Sequence, residues 1–237
     1  MDLLSLFKLK KQKKEGVLVF SFINCFFLDF YKNLSVDVLR FDVEEFSQLN
    51  DYKDSKSLNP KDFLPILKNV NKINDNIKIA VDLPLSVITG SDSDLLDFYR
   101  KSNANIFVLN LDYNINNISK RLLNLNIPII VSIKNKFQNT KLETAYITEV
   151  YNKLIEVENY GSIMFIVENF QKNFVDELKK NISIPVVSTD NTLGADGFYG
   201  RFSNIFGIFE NKLKYLNISE LLKESIKDCF LSNKPKI

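Results

Sequence analysis

The sequence predicts an α/β chain that closes into a (β/α)8 TIM barrel, on three observations. Short β-branched runs alternate with longer amphipathic stretches, the pattern of βα units feeding a parallel sheet. About eight such runs can be counted, most followed by a helical segment. The 237 residues also lie close to the ~250 typical of this barrel. A doubly wound open sheet shares the periodicity, but its nucleotide-binding forms carry a GxGxxG or Walker A loop, and the chain has neither. The expectation is a single barrel domain over 1–237, with a short basic segment at 1–15.

The elements follow in order. Val17 to Phe22 is the first strand, Phe26 to Asn33 a short helix, and Val36 to Phe41 a second strand that stops at Asp42. Glu44 to Ser57 is polar and reads as a loop. Asn59 caps a helix with Pro60 at its first position, where the missing N–H costs nothing. Phe63, Ile66, Leu67 and Val70 form its apolar face, with Pro65 loosening the first turn. Ile77 to Leu83 is the third strand. Ser91-Asp92-Ser93-Asp94 then opens a helix with acids that suit its dipole. Ile106 to Leu111, Ile127 to Ile133, Ile163 to Val167, Ile184 to Thr189 and Asn204 to Phe209 complete the strands. Helices are expected around Ile118 to Leu125, Leu142 to Val157, Phe174 to Leu178 and Ile218 to Phe230.

Composition excludes several chemistries. There is no histidine, which removes Ser-His-Asp triads, Cys-His nucleophiles and histidine-built zinc sites. Cys25 and Cys229 lie far apart and fit reduced thiols of a cytoplasmic protein. No apolar run approaches the ~18 residues that a transmembrane helix needs, so no membrane partner is expected. Lys+Arg 31 against Asp+Glu 29 leaves the chain nearly neutral. The basic run of Lys8, Lys10, Lys11, Lys13 and Lys14 has no interleaved aromatics, so it reads as a solvated helix end and not as a nucleic-acid surface.

A barrel builds its active site at the C-terminal ends of the strands. The polar residues that end these apolar runs are Ser21 with Asn24, Asp42, Asp82, Asn110, Ser132, Glu168, and Ser188 to Asp190. Asp42, Asp82 and Glu168 come from three strands and would converge on one mouth, the way a magnesium site with an acid-base residue is assembled. Asp82 and Glu168 stand out because each is a lone carboxylate in or after an apolar run, where an unpaired charge is costly.

With these motifs in order, the chain resembles the ketopantoate (3-methyl-2-oxobutanoate) hydroxymethyltransferase family over nearly its full length. Ile79-Ala80-Val81-Asp82-Leu83-Pro84-Leu85 is similar to the family's Ala-Asp-Met-Pro-Phe strand end. Ile127-Pro128-Ile129-Ile130-Val131-Ser132 is similar to its Ile-Pro-Val-Met-Gly-His strand, and Ile166-Val167-Glu168 to its Val-Leu-Glu strand. Ser183-Ile184-Pro185 through Asp196-Gly197 to Phe206-Gly207 keeps the family's spacing. The resemblance implies a phosphoenolpyruvate/pyruvate-type barrel, a magnesium ion, and transfer of a one-carbon unit from 5,10-methylenetetrahydrofolate to 3-methyl-2-oxobutanoate in pantothenate biosynthesis. It implies Asp82 and, with a one-residue shift, Asp42 as metal ligands. Glu168 would be the catalytic acid-base, and Ser21, Asn110 and Ser132 would line the substrate. A homo-oligomer acting on a small 2-oxo acid and folate follows from the same likeness.

The departures define the alternative. The family's Lys-Leu-Glu-Gly-Gly is Val108-Leu109-Asn110-Leu111-Asp112, its fifth-strand histidine is Ser132, and its Gly-Ile-Gly-Ala-Gly loop is Ser188-Thr189-Asp190-Asn191-Thr192. Losing charge at this scale weakens a hard-metal site, and the alternative is a non-catalytic paralogue acting as a structural or regulatory subunit. A magnesium-dependent barrel of the phosphoenolpyruvate mutase and isocitrate lyase type ranks last, because its nucleophilic cysteine motif is absent.

Overall fold

Parallel strands pair in strict chain order, and the last returns to the first to close a barrel, β1-β2-β3-β4-β5-β6-β7-β8. The computed structural model describes residues 2–25, 31, 34–70, 77–111, 115–135, 142–189 and 194–205. Helix α1 (Leu3–Lys13), capped by the Asp2 side chain, precedes β1 (Val17–Phe22) and β2 (Val38–Phe41). Then come α2 (Val43–Leu49), a 3₁₀ turn (Ser55–Ser57), α3 (Pro60–Val70) and β3 (Lys78–Asp82). The short α4 (Leu85–Ile88) and α5 (Asp92–Ser102) lead to β4 (Ile106–Asn110), α6 (Ile115–Asn124) and β5 (Ile129–Lys134). Helix α7 (Leu142–Glu158), β6 (Ser162–Glu168), α8 (Lys172–Asn181), β7 (Val186–Ser188), β8 (Gly197–Gly200) and α9 (Phe202–Ile205) complete the described chain.

Strand side chains alternate between two faces, and here both faces are buried, in two separate cores. Inside the barrel, Val19, Val38, Ala80, Ile106, Val108, Ile130, Met164, Ile166 and Val187 fill the lower and middle layers. Outside, Leu39, Phe41, Val81, Phe107, Leu109, Val131, Phe165 and Val167 meet the helices. The outer core is rich in aromatics, with Phe41 and Phe63 ring centroids 5.2 Å apart and Phe98 and Phe107 5.6 Å apart. This double burial is why the strands read as continuous apolar runs.

The basic N-terminal segment has a structural task. Phe7 of α1 is buried with Val17, Val19, Ile163 and Met164, plugging the N-terminal end of the barrel. Lys11 Nζ donates to the carbonyls of Lys179, Ile182 and Ile184 at 3.2, 2.8 and 2.9 Å. Lys10 pairs with Asp37. Two of the five lysines therefore clamp the plug, while Lys13 and Lys14 are exposed.

Two expectations are corrected. The polar stretch after Asp42 is not all loop: α2 begins at Val43, because the Asp42 carboxylate caps it and Phe46 gives it a buried side chain. The closing strand is Gly197–Gly200, and not Asn204 to Phe209; the described part of that stretch begins in helix α9. A Cβ on Gly197 would lie 2.1 Å from the Val17 carbonyl oxygen. Closure therefore demands glycine where β1 and β8 approach, and glycine erases the strand signal. The helices expected at 26–33 and 218–230 fall largely or wholly outside the described residues. Among the described residues no helix is long and apolar enough to cross a membrane.

If α1 is a plug, Phe7→Ala should lower stability by about 3–5 kcal/mol in a urea titration, the usual cost of truncating a buried phenylalanine. Lys13→Ala, at an exposed position, should leave the midpoint unchanged.

Candidate functional site

On β2 the inward positions are Val38 and Arg40, followed by Asp42 at the strand's end. Arg40 places a guanidinium in the barrel interior, only 3% exposed. It is met by Asp82, the last residue of β3: Nε donates to Oδ1 at 2.7 Å and Nη2 to Oδ2 at 3.0 Å. Nη1 donates to the Ser132 hydroxyl of β5 at 3.1 Å. The guanidinium also lies 5.2 Å from the Tyr199 ring centroid, within cation–π range. This two-point fork is the strong form of a carboxylate ion pair. Burial pushes the Asp82 carboxyl up to about 6 against the opposing pull of Arg40, which leaves it ionised at neutral pH.

Asp42 is fully buried and already committed. Its Oδ1 accepts the Glu45 amide of α2 at 3.0 Å, and its Oδ2 accepts the Tyr199 hydroxyl at 2.7 Å. Burial raises its pKa, but Arg40 and Arg201, each 3.9 Å away, with the Glu45 amide and the Tyr199 hydroxyl, hold it well below the usual carboxylate range. Beside it, burial and the Asp42 charge push Glu45 up. Glu45 accepts the Ser203 amide at 2.6 Å and the Ser21 hydroxyl, and Ser21 in turn accepts the Phe202 amide at 2.6 Å. Ser21 thus ties β1 and α2 to the start of α9, where α9 has amides without helical partners. Across the mouth, Arg201 Nη2 lies 3.0 Å from Glu168 Oε2 and 3.6 Å from Glu44 Oε2.

Above this layer is a cavity of about 300 Å³. Asp82, Asn110, Ser132, Lys134, Lys56 and Glu44 supply its polar wall, and Leu83, Pro84, Leu85, Leu111 and Ile133 supply apolar surface. Lys134 and Glu44 face each other at 3.5 Å, both partly exposed. The structure thus brings Asp82, Asn110 and Ser132 into one cavity wall, places Asp42 behind it and Glu168 on the Arg201 side, and turns Ser21 into a structural tie.

The residues do not fit magnesium. That ion needs oxygen ligands in near-octahedral array. Here both Asp82 oxygens bond to Arg40, Oδ2 also takes the Val43 amide at 3.2 Å, and both Asp42 oxygens are engaged. A further cation beside the guanidinium would meet like-charge repulsion at short range. Among the described residues no group of three or more His, Cys, Asp or Glu is arranged to hold a metal ion. In this arrangement Asp82 is the counter-ion of Arg40, and Asp42 caps α2. Asp190 and most of the 188–192 loop lie outside the described residues.

Sequence reasoning missed Arg40, Glu45, Tyr199, Arg201 and Lys134. A signal for Arg40 was present: it is the one charge in Val38-Leu39-Arg40-Phe41, the same argument that singled out Asp82, its partner.

No family model matches the chain. It is 23% identical over 168 residues to the 3-methyl-2-oxobutanoate hydroxymethyltransferase of Aliarcobacter butzleri (strain RM4018), covering 64% of this chain and 62% of that protein. It is 23% identical over 176 residues to the enzyme of the same name from Campylobacter concisus (strain 13826), covering 67% and 65%. The match thus spans less than two thirds of either relative's length. Among solved structures, the fold matches 2,3-dimethylmalate lyase, described as a PEP mutase/isocitrate lyase superfamily member, at TM-score 0.65 and 9% identity over 100% of this chain and 90% of that one. Phosphoenolpyruvate phosphomutase from Streptomyces platensis subsp. rosaceus gives TM-score 0.64 and 10% identity, with 95% and 88% covered. A phosphonopyruvate hydrolase in complex with oxalate and Mg++ gives 0.63 and 10%, with 98% of each chain covered. These likenesses establish the barrel fold.

Because Asp42 is held below its usual 3.8, it stabilises the fold above that value and loses this contribution as pH falls through its folded pKa. Asp82 has the opposite sign, its raised pKa adding stability as pH falls from about 6 towards 3.8. Urea midpoints measured across acid pH should therefore drop below about pH 4, and Asp42→Asn should flatten that drop. An unchanged acid slope in the variant would remove Asp42 from the account.

Proposed function

We propose that this chain is a hydroxymethyltransferase-like barrel that binds a small carboxylic acid of the 2-oxo-acid class at its mouth without a metal, and that it has given up magnesium-dependent one-carbon transfer. The observation that carries this reading is the two-point ion pair between Arg40 and Asp82. It turns a carboxylate suited to holding a cation into the counter-ion of the protein's own guanidinium. Glu168, suited by resemblance to act as base, is paired with Arg201 and lies outside the cavity lining. Lys134, Lys56, Asn110 and Ser132 supply donors for a carboxylate, while Leu83, Leu111 and Ile133 suit a short aliphatic body. At about 300 Å³ the cavity sits at the small end of the ~300–1,000 Å³ usual for ligand sites. The oxalate held by a phosphonopyruvate hydrolase of this fold supports a small acid as ligand.

A second reading, that hydroxymethyl transfer from folate to 3-methyl-2-oxobutanoate persists, is favoured by the two curated relatives that carry this activity's name. On that reading the protein is an enzyme of the pantothenate route. On the first it serves as a binding or regulatory subunit. A homo-oligomeric, cytoplasmic protein fits both.

Ligand-observed NMR of 3-methyl-2-oxobutanoate in D₂O separates them. We expect binding without magnesium, weakened about tenfold or more by Lys134→Ala, since a charged hydrogen bond contributes about 1.5 kcal/mol or more. The C3 proton signal should persist with magnesium present. Magnesium-dependent loss of that signal would establish the second reading, and absence of binding by any short 2-oxo acid would remove the first.

A further inference from the structure

We infer that Arg40 is the resident cation of the barrel mouth: its guanidinium fills the place between Asp42 and Asp82 that a divalent ion would need, and removing it uncovers a cation site. This goes beyond the ligand reading above and holds whether or not an acid binds.

The argument is geometric. One nitrogen, Arg40 Nη2, lies 3.0 Å from Asp82 Oδ2 and 3.9 Å from Asp42 Oδ2. A single positive centre is therefore shared by carboxylates from two adjacent strand ends, as a bridging ion would be. Nη1 reaches the Ser132 hydroxyl from a third strand at 3.1 Å, so the guanidinium is surrounded by hard oxygen donors. All four residues are buried, with Arg40 at 3%, Asp42 at 0%, Asp82 at 4% and Ser132 at 4% exposure.

Two carboxylates this deep require a compensating positive charge. Arg201 supplies part of it, 3.9 Å from Asp42, but its nearer partner is Glu168 at 3.0 Å. Arg40 is thus the counter-charge that Asp82 depends on. Cutting Arg40 back to alanine relieves both Asp82 oxygens and the Ser132 hydroxyl of their guanidinium donors, beside Asp42, whose carboxylate keeps lone pairs beyond those taken by the Glu45 amide and the Tyr199 hydroxyl. Oxygen ligands with open lone pairs and room for waters are what Mg²⁺ or Mn²⁺ takes, at about 2.0–2.2 Å. The wild-type chain, by the same reasoning, is indifferent to divalent ions.

The test uses Mn²⁺ as the probe, read by electron paramagnetic resonance and by thermal unfolding. Wild-type protein should leave the free Mn²⁺ signal and its own Tm unchanged. Arg40→Ala should bind one Mn²⁺ and gain about 5–10 °C in Tm at roughly a hundredfold excess over Kd. Adding Asp82→Asn to that variant should abolish both effects. Should Arg40→Ala fold only when Mn²⁺ is supplied, the inference is supported directly. It is overturned if wild-type protein binds Mn²⁺ through Asp82, if the folded variant ignores the ion, or if Mn²⁺ cannot restore a variant that fails to fold.

Discussion

A guanidinium withdrawn from water in the middle of a barrel must find fixed negative charge and well-aimed acceptors, or the fold cannot hold it. Arg40 finds both in Asp82 and Ser132, and the upper layer of this molecule is arranged around that need. Asp82 ends β3 one strand away, Ser132 sits on β5, and Tyr199 offers its ring from β8. Asp42 then answers two masters, capping α2 and accepting Tyr199. Several strands meet through one buried side chain, so the mouth is a polar plug resting on an apolar barrel interior.

The two ends of the barrel are closed by different chemistry. At the N-terminal end, Phe7 extends the interior hydrophobic core outward, and Lys11 donates to three carbonyls at the end of α8 and in the turn into β7. At the C-terminal end the interior turns ionic, and each guanidinium is paired within the chain: Arg40 with Asp82, Arg201 with Glu168. At these strand ends Asp82 and Glu168 neutralise the chain's own guanidinium groups. The barrel frame tolerates this charged layer because strand-end residues stand above the apolar layers and contribute little to them.

Much of the site was legible residue by residue. Asp82 announced itself as a carboxylate within Ala80-Val81-Asp82-Leu83, and Ser132 and Asn110 fell at strand ends lining the cavity. Ser21 lies at its expected strand end but turns away into the Glu45 network. Arg40 and Arg201 are less legible, because a basic residue is mostly exposed and the burial of these two depends on carboxylates brought from other strands. The closing strand was misplaced for a different reason. In Gly197-Phe198-Tyr199-Gly200 two glycines dilute the strand signal of Phe198 and Tyr199, and Gly197 is demanded by the approach of β1, a contact between residues far apart in the chain.

What the sequence determined by itself was the βα rhythm, seven of the eight strands, the Ser91 cap and most of the polar residues at the strand ends. These rest on local periodicity and turn chemistry, which act over a few residues. What only the tertiary structure decided was pairing: that Asp82 belongs to Arg40, Asp42 to α2 and Tyr199, and Glu168 to Arg201. A charge's role depends on its nearest opposite charge, and the closed barrel sets that neighbour by bringing together strands that the sequence keeps as much as 157 residues apart.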